Sequence, residues 1–165
     1  MASDKALSWV FAEEFVEENE LLAQAREAAT DLGADPVSTG VGAALRLLAA
    51  TCGAKAVLEI GTGAGVSGLW LLQGMSPDGV LTTIDQEVEF HKHARRAFAA
   101  AGIASQRTRL IAGRALDVLP RMAARGYDMM VIDAPNAEIP DYLDHALRVL
   151  RPGGLIVIVH ALWHD

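Results

Sequence analysis

One stretch of the chain determines the fold class: Val57-Leu58-Glu59-Ile60-Gly61-Thr62-Gly63-Ala64-Gly65. Its first half is a short apolar run, and a run of this kind that stops at glycines is typical of a buried strand. The glycines let the chain turn sharply and let a ligand approach the backbone. Because helical periodicity follows, the stretch predicts a strand, a glycine loop and a helix, in that order.

Four later segments have the same apolar character. Continuous apolar strands, rather than alternating ones, indicate burial on both faces, as in a parallel sheet covered by helices. The segments between them have helical periodicity, as at Tyr142, Ala146 and Leu150, before a turn at Pro152-Gly153-Gly154. The sequence therefore predicts an α/β fold, with a doubly wound, mostly parallel, Rossmann-like sheet. The predicted strands span residues 56–60, 80–84, 108–111, 129–132 and 155–159.

The segment before the first strand is helical in pattern. Apolar residues from Leu7 to Val16 recur at helical spacing, with acids on the other side, and predict one helix over residues 4–30. A second helix is predicted from Ser38 to Thr51, with Ser38 or Thr39 as its cap and Gly53 at its end. We find no internal repeat and no low-complexity linker. One domain is therefore predicted, with N-terminal helices over residues 1–52 and a sheet core over residues 53–165.

The composition is that of an acidic globular protein, with 52% hydrophobic residues and a net charge of −7 at pH 7. An acidic surface repels phosphate backbones, and the arginines at 95, 96, 107 and 109 fit a solvated helix face and the start of a strand. The acids between positions 13 and 20 exclude a signal peptide, and no apolar run is long enough to span a bilayer. Cys52, the only cysteine, is expected to fill space at a helix end. We expect a soluble, cytoplasmic protein with no nucleic-acid or membrane partner.

The fold class by itself indicates where a ligand would bind. In doubly wound sheets, ligands bind beyond the carboxyl ends of the strands, near the point where the strand order reverses. The segments at these ends are residues 59–67, 85–86, 113–115 and 133–136 and the chain from Val159 onward.

The glycine loop matches two patterns. Gly63-Ala64-Gly65-Val66-Ser67-Gly68 fits the dinucleotide fingerprint, and Asp85 lies about twenty residues further on, as a ribose-binding acid should. The alternative pattern is acid-x-Gly-x-Gly-x-Gly, beginning at Glu59. A carboxylate there can accept a hydrogen bond from a cationic amine, but it would repel a pyrophosphate. Glu59 therefore argues against an NAD(P)-dependent oxidoreductase, and so does the lack of a Tyr-x-x-x-Lys pair. Such an oxidoreductase stays the alternative function.

The second pattern resembles the first motif of class I S-adenosylmethionine-dependent methyltransferases. Thr83-Ile84-Asp85 resembles the acidic strand end that binds the ribose hydroxyls, and Gly113-Arg114-Ala115 resembles the Gly-Asp-Ala segment that borders the adenine. The segments 66–71, 131–134 and 150–157 resemble the small bacterial O-methyltransferases related to the catechol and caffeoyl-coenzyme A enzymes.

This resemblance implies that the chain binds S-adenosylmethionine and methylates a hydroxyl of a small molecule. It also implies a homodimer whose interface includes the N-terminal helices. The family's final helix and β-hairpin do not occur in this chain, so we expect a longer protein with a mass above 17.5 kDa. Together, the resemblance and the strand-end positions predict these cofactor-binding residues: Val37, Glu59, Gly61, Thr62, Gly63, Ser67, Asp85, Gln86, Gly113, Ala115 and Asp133.

The catalytic pattern of the family is altered in this chain. In the resembling enzymes, the aspartate that ends the fourth strand and an Asp-Asn pair that ends the fifth hold a divalent cation, and a lysine helps to deprotonate the acceptor. Asp133 is kept, but Asn136 stands at the lysine position and Val159-His160 at the pair. We therefore predict that the usual Mg²⁺ site does not form. His160 is the predicted general base, oriented by Asp133.

Several alternatives stay open. His160 could merely cap a strand or pack against Trp163, or His160-x-x-x-His164 could bind Zn²⁺ or Fe²⁺ together with Asp133. Without the lysine and the Asp-Asn pair, the chain could also bind S-adenosylmethionine without catalysis. His91 and His93 are predicted to be solvated surface residues. Tyr142 fits either an acceptor pocket or the core.

Overall fold

A computed structural model describes residues 4–134 and 136–161 of the chain. In these residues, five parallel strands form one sheet of order β3-β2-β1-β4-β5. This confirms the predicted parallel α/β fold. The strands are β1 (Ala56–Ile60), β2 (Val80–Asp85), β3 (Thr108–Ala112), β4 (Tyr127–Ile132) and β5 (Leu150–Ile158).

Helices precede the sheet and connect its strands. None of the helices in the described part of the chain is long and apolar enough to cross a membrane. Short 3-10 turns occur at Ser105–Arg107, Leu119–Arg121 and Asn136–Glu138. The α-helices are α1 (Asp4–Glu14), α2 (Glu20–Asp31), α3 (Thr39–Thr51), α4 (Val66–Gly74), α5 (Val88–Ala100), α6 (Ala115–Val118) and α7 (Ile139–Val149).

Both faces of the sheet are covered, as the continuous apolar strands predict. Val57 and Met129 pack in a core formed with residues of α2 to α5, whereas Leu58 and Met130 pack in a second core with residues of α6 and α7. Successive strand residues point to opposite faces, so each central strand supplies both cores. The edge strands β3 and β5 are only partly buried along most of their length.

The prediction of one helix over residues 4–30 is wrong. The chain leaves the helix after Glu14, and Asn19 begins α2 by accepting a hydrogen bond from the Leu22 amide at 3.0 Å. Glu13 fastens the end of α1 to the start of α3, because its carboxylate accepts from Ser38 Oγ and the Gly40 amide at 2.9 and 2.8 Å. The large apolar side chains of this N-terminal segment are exposed: Leu7, Trp9, Val10, Phe11 and Phe15. The homodimer stays a prediction.

Three predictions about the ends of elements have different outcomes. Ser38 caps α3 as predicted, since its hydroxyl accepts from the Val41 amide at 3.3 Å. Cys52 follows α3 but is exposed, so the prediction that it fills space is wrong. The turn predicted at 152–154 is also wrong, because β5 already begins at Leu150 and includes these residues. A register shift opposite Tyr127 and Met129 accommodates the glycines within the strand.

The strand order reverses beside β1. The chain moves from β1 to β2 and β3 on one side, and then crosses to β4 and β5 on the other side. Ile60 at the end of β1 pairs with Ile84 of β2 and Ile132 of β4. The glycine loop therefore leaves the sheet at its topological switch point, where ligands bind in such folds.

Candidate functional site

Gly61 begins the loop in a narrow gap between β2 and β4. Its amide donates to the Ile84 carbonyl at 2.9 Å, and the Asp133 amide donates to the Ile60 carbonyl at 2.9 Å. Gly61 has a φ of 93°, and a Cβ atom there would lie 2.3 Å from the carbonyl oxygen of Asp133. Only glycine fits this gap, because both the conformation and the contact exclude a side chain.

Asp85 holds the loop from the end of β2. Its Oδ2 accepts from the amides of Thr62 and Gly63 at 2.9 and 3.0 Å, and its Oδ1 accepts from the Glu87 amide at 2.9 Å. In a dinucleotide site, the loop and the helix start that follows it face the pyrophosphate. Here a carboxylate already occupies two loop amides and would repel a phosphate. The geometry therefore favours the acid-glycine pattern over the dinucleotide fingerprint.

Two cavities of about 270 and 230 Å³ meet at this loop. Gly61, Asp85 and Asp133 line both cavities. Of the other predicted cofactor residues, the first cavity is lined by Val37, Thr62, Gly63 and Ser67. The second is lined by Gln86, Gly113 and Ala115. The structure thus brings together ten of the predicted residues around one divided pocket, and Glu59 lies outside its lining.

Sequence reasoning missed several lining residues. Asp35 and Phe90 line the first cavity, and Glu138 lines the second, as does Arg114 of the predicted strand-end segment 113–115. Asp35 lies close to Val37 in sequence, so the resemblance at Val37 could have indicated it. Glu138 carries no local signal, because it reaches the cavity only through the packing of α7. Tyr142 is buried, as its core alternative predicts, and it also lines the second cavity, while its place in an acceptor pocket stays a prediction.

Glu59 is fully buried beside the glycine loop. Its Oε2 accepts from Thr83 Oγ1 at 2.7 Å, and Thr83 Oγ1 lies 2.7 Å from Thr62 Oγ1. Its Oε1 has no hydrogen-bond partner among the described residues. Burial raises the pKa of Glu59 from 4.5 to about 7. A buried carboxylate with one oxygen that lacks a partner among the described residues suits a ligand with a cationic amine, so the residues fit S-adenosylmethionine.

The raised pKa of Glu59 makes the free energy of unfolding depend on pH. Below pH 4.5 the carboxyl is neutral in both the folded and unfolded states. Between pH 4.5 and about 7 the unfolded chain ionises first, so the folded state loses stability as the pH rises through this range. We expect Glu59→Gln to remove this loss. The free energy of unfolding of the variant, relative to that of the wild type, should therefore rise by about 2 kcal/mol from pH 5 to pH 8. Denaturant unfolding of the free protein measures this difference.

The matched control for this experiment is Glu87→Gln, which removes an exposed acid near the same strand ends. Its free energy of unfolding should differ from that of the wild type by the same amount at pH 5 and at pH 8. A Glu59→Gln effect that does not change with pH would contradict the titration of a buried Glu59.

Asp133 and His160 meet at the carboxyl ends of β4 and β5. His160 Nδ1 lies 3.2 Å from Asp133 Oδ1, and the two side chains are 33% and 24% exposed. Burial raises the pKa of Asp133, and His160 opposes this shift. His160 has a φ of 58°, a left-handed conformation that is uncommon outside glycine.

The metal alternatives stay predictions. Within residues 4–134 and 136–161, no three His, Cys, Asp or Glu side chains form a group that could hold a metal ion. His164 and Trp163 lie outside the described residues, so the His160-His164 site and the packing on Trp163 stay untested.

The prediction that His91 is solvated is wrong. It is 4% exposed, and its Nε2 lies 3.0 Å from the Asp85 carbonyl oxygen. The reason is that α5 packs closely over the end of β2 and buries the ring beside the Asp85 carbonyl, which also accepts from the Gly113 amide at 2.9 Å. His93 is half-buried, with Nε2 3.9 Å from Glu89 Oε1. The His91 ring thus contacts the backbone of Asp85, the residue that holds the glycine loop.

Comparison with known proteins identifies the family. The sequence model of the O-methyltransferase family matches residues 12–165. A Mycobacterium tuberculosis protein named "Probable O-methyltransferase" is 57% identical over 153 residues, which are 93% of this chain and 68% of that protein. The O-methyltransferase TomG of Streptomyces achromogenes, involved in tomaymycin synthesis and solved with S-adenosylmethionine, has a TM-score of 0.85 and 36% identity over 96% of this chain and 74% of its own. An O-methyltransferase of Bacillus cereus, solved with S-adenosylhomocysteine, has a TM-score of 0.83 and 28% identity over 93% of this chain and 71% of its own. This chain therefore belongs to the family of S-adenosylmethionine-dependent O-methyltransferases.

Proposed function

We propose that the protein methylates a hydroxyl of a small molecule and that His160, rather than a Mg²⁺ site, handles the proton of the acceptor. The contact of 3.2 Å between His160 Nδ1 and Asp133 Oδ1 carries this proposal. It lies at the strand ends where the resembling enzymes hold their cation, and Asp133 lines both cavities. The contact of His160 with Asp133 would hold the base beside the pocket in which an acceptor meets the cofactor.

The residues of the divided pocket would hold S-adenosylmethionine. Bound there, it supplies a methyl group on a positively charged sulfur, which is a good leaving group. Asp85 would accept hydrogen bonds from the ribose hydroxyls, and Glu59 would attract the cationic amine. Gly61 keeps the loop free of a side chain where the two cavities meet. The cofactor-binding roles of these residues are part of the proposal.

The Asp133–His160 pair prepares a proton acceptor. An ionised Asp133 accepts the hydrogen of His160 Nδ1, which leaves the lone pair on Nε2. Nε2 then takes the proton from the acceptor hydroxyl as its oxygen becomes nucleophilic. Since the reaction needs the acceptor oxygen in line with the methyl group, positioning in the pocket supplies much of the acceleration.

The side chains at this rim argue against the usual cation. Mg²⁺ requires oxygen ligands, which the family pattern supplies through an aspartate and an Asp-Asn pair. Val159 has no ligand atom in its side chain, and His160 supplies a nitrogen that already contacts Asp133. This substitution supports metal-independent proton transfer.

The first experiment is calorimetric titration of the protein with S-adenosylhomocysteine, with and without Mg²⁺. We expect saturable binding of equal affinity in both conditions. Methyl transfer from S-adenosylmethionine to a panel of phenols and catechols should then persist in EDTA. Transfer that requires added Mg²⁺ would contradict the proposed base. Binding without transfer to any acceptor, with or without metal, would favour the non-catalytic alternative, which the missing lysine and Asp-Asn pair also support.

A further inference from the structure

Three side chains from separate segments meet at the second cavity. Arg114 lies between β3 and α6, Glu138 lies just before α7, and Tyr142 lies one turn further along α7. Arg114 Nη2 donates to Glu138 Oε1 at 2.8 Å, and the Tyr142 hydroxyl donates to Glu138 Oε2. All three residues line the cavity. Glu138 is thus held by donors from both sides of the same pocket.

Glu138 is the acidic residue that belongs to this cavity alone, because the other two lining acids, Asp85 and Asp133, are shared with the first cavity. The hydrogen bonds from Tyr142 and Arg114 lower its pKa, so at neutral pH it is a carboxylate that can only accept hydrogen bonds. Each of its oxygens keeps a further lone pair after these contacts. The side chain is 29% exposed, which leaves it open to a ligand.

The remaining walls suit a flat aromatic ring. Ile60, Ile84 and Ala115 are buried apolar residues of the lining. Asp85, the proposed ribose-binding acid, stands where the two cavities join, so a base attached to that ribose would extend into the second cavity. Adenine carries an exocyclic 6-amino group, which is a hydrogen-bond donor and matches a carboxylate acceptor.

We propose that Glu138 selects adenine over other purines by accepting a hydrogen bond from its 6-amino group. This inference rests on the proposed function, in which the divided pocket holds the cofactor and Asp85 binds its ribose. A purine with a 6-oxo group presents an acceptor to the carboxylate and leaves it unpaired, so it binds more weakly. Arg114 and Tyr142 are positioning residues, because they restrict the rotamers of an otherwise mobile glutamate.

The test compares S-adenosylhomocysteine with S-inosylhomocysteine, in which the 6-amino group is replaced by a 6-oxo group. Calorimetric titration of the wild type should show an affinity at least about tenfold higher for the adenine compound. Glu138→Gln should reduce this ratio to about threefold or less, because the amide group offers both a donor and an acceptor. Tyr142→Phe, which keeps the buried ring, should give an intermediate ratio.

Asp141→Asn is the matched control, since it removes one exposed acid on the same helix that does not line the cavity. Its ratio should equal that of the wild type. Equal affinity of the wild type for both compounds, or a Glu138→Gln ratio that matches the wild type, would overturn the role of Glu138 and leave the cofactor site intact. If the folded wild type does not bind S-adenosylhomocysteine, the proposed cofactor site itself fails. If a variant does not fold, the affinities of the wild type for the two compounds still test the proposal.

Discussion

Replacing His160 by alanine is expected to reduce turnover on an identified acceptor by about 10²- to 10⁴-fold, the usual contribution of a positioned acid or base. The affinity for S-adenosylhomocysteine should change by less than about twofold, because His160 is not part of the lining of either cavity. Methyl transfer at saturating S-adenosylmethionine gives the first quantity, and calorimetric titration gives the second.

The control for this variant is His145→Ala, a half-buried histidine of α7 outside both cavities. It should retain the turnover of the wild type. Asp133→Asn should also lower turnover, because the amide no longer fixes the tautomer that places the lone pair on Nε2. If His160→Ala keeps full turnover, His160 is only a strand cap or a packing residue, and the proposed base is wrong.

The second large effect is expected from Gly61→Ala. A Cβ atom would lie 2.3 Å from the carbonyl oxygen of Asp133, and the φ of 93° strains any residue with a side chain. The conformational and steric costs together reduce the free energy of unfolding by about 2–5 kcal/mol. For a chain of this size, we expect a melting temperature lower by about 5–20 °C. Because Asp133 must move, binding of S-adenosylhomocysteine should be lost as well.

Gly53→Ala separates the two costs. Gly53 also has a positive φ, of 59°, but a Cβ atom there meets nothing within 4 Å. This variant should lose about 1–2 kcal/mol from backbone strain alone and should bind S-adenosylhomocysteine normally. If Gly61→Ala and Gly53→Ala have equal melting temperatures, the gap between β2 and β4 widens without a free-energy cost. That result would contradict the tight gap that the hydrogen bonds of Gly61 and Asp133 indicate.

The elements that the sequence predicts best are those whose pattern is local. The apolar run at 56–60 and its glycine loop are found as predicted, since a strand buried on both faces needs continuous apolar residues. The helix over 4–30 fails for two reasons. Asn19 is a favoured N-cap residue, a local signal that the helical periodicity outweighed. The contact of Glu13 with the start of α3 joins residues far apart in sequence, so no local pattern predicts it.

The divided pocket follows from topology more than from any one residue. Parallel strands end at the same edge of the sheet, so the strand-end positions could be placed together from their order alone. The resemblance added Val37, which lies far from the glycine loop in sequence and lines the same cavity. The buried state of His91 escaped this reasoning, because the partner of its ring is a backbone carbonyl, and backbone groups carry no sequence signal.

The sequence alone therefore determined the α/β class, the parallel sheet and the edge of the sheet at which we propose the ligand site, because hydrophobic periodicity and glycine positions are local properties of the chain. Only the tertiary structure decided which groups face each other there. It placed Asp85 on the loop amides, left one oxygen of Glu59 with no partner in the described part of the chain, and joined Glu138 to Arg114 and Tyr142. These contacts link residues distant in sequence, and they form only when the strands and helices pack into a single body.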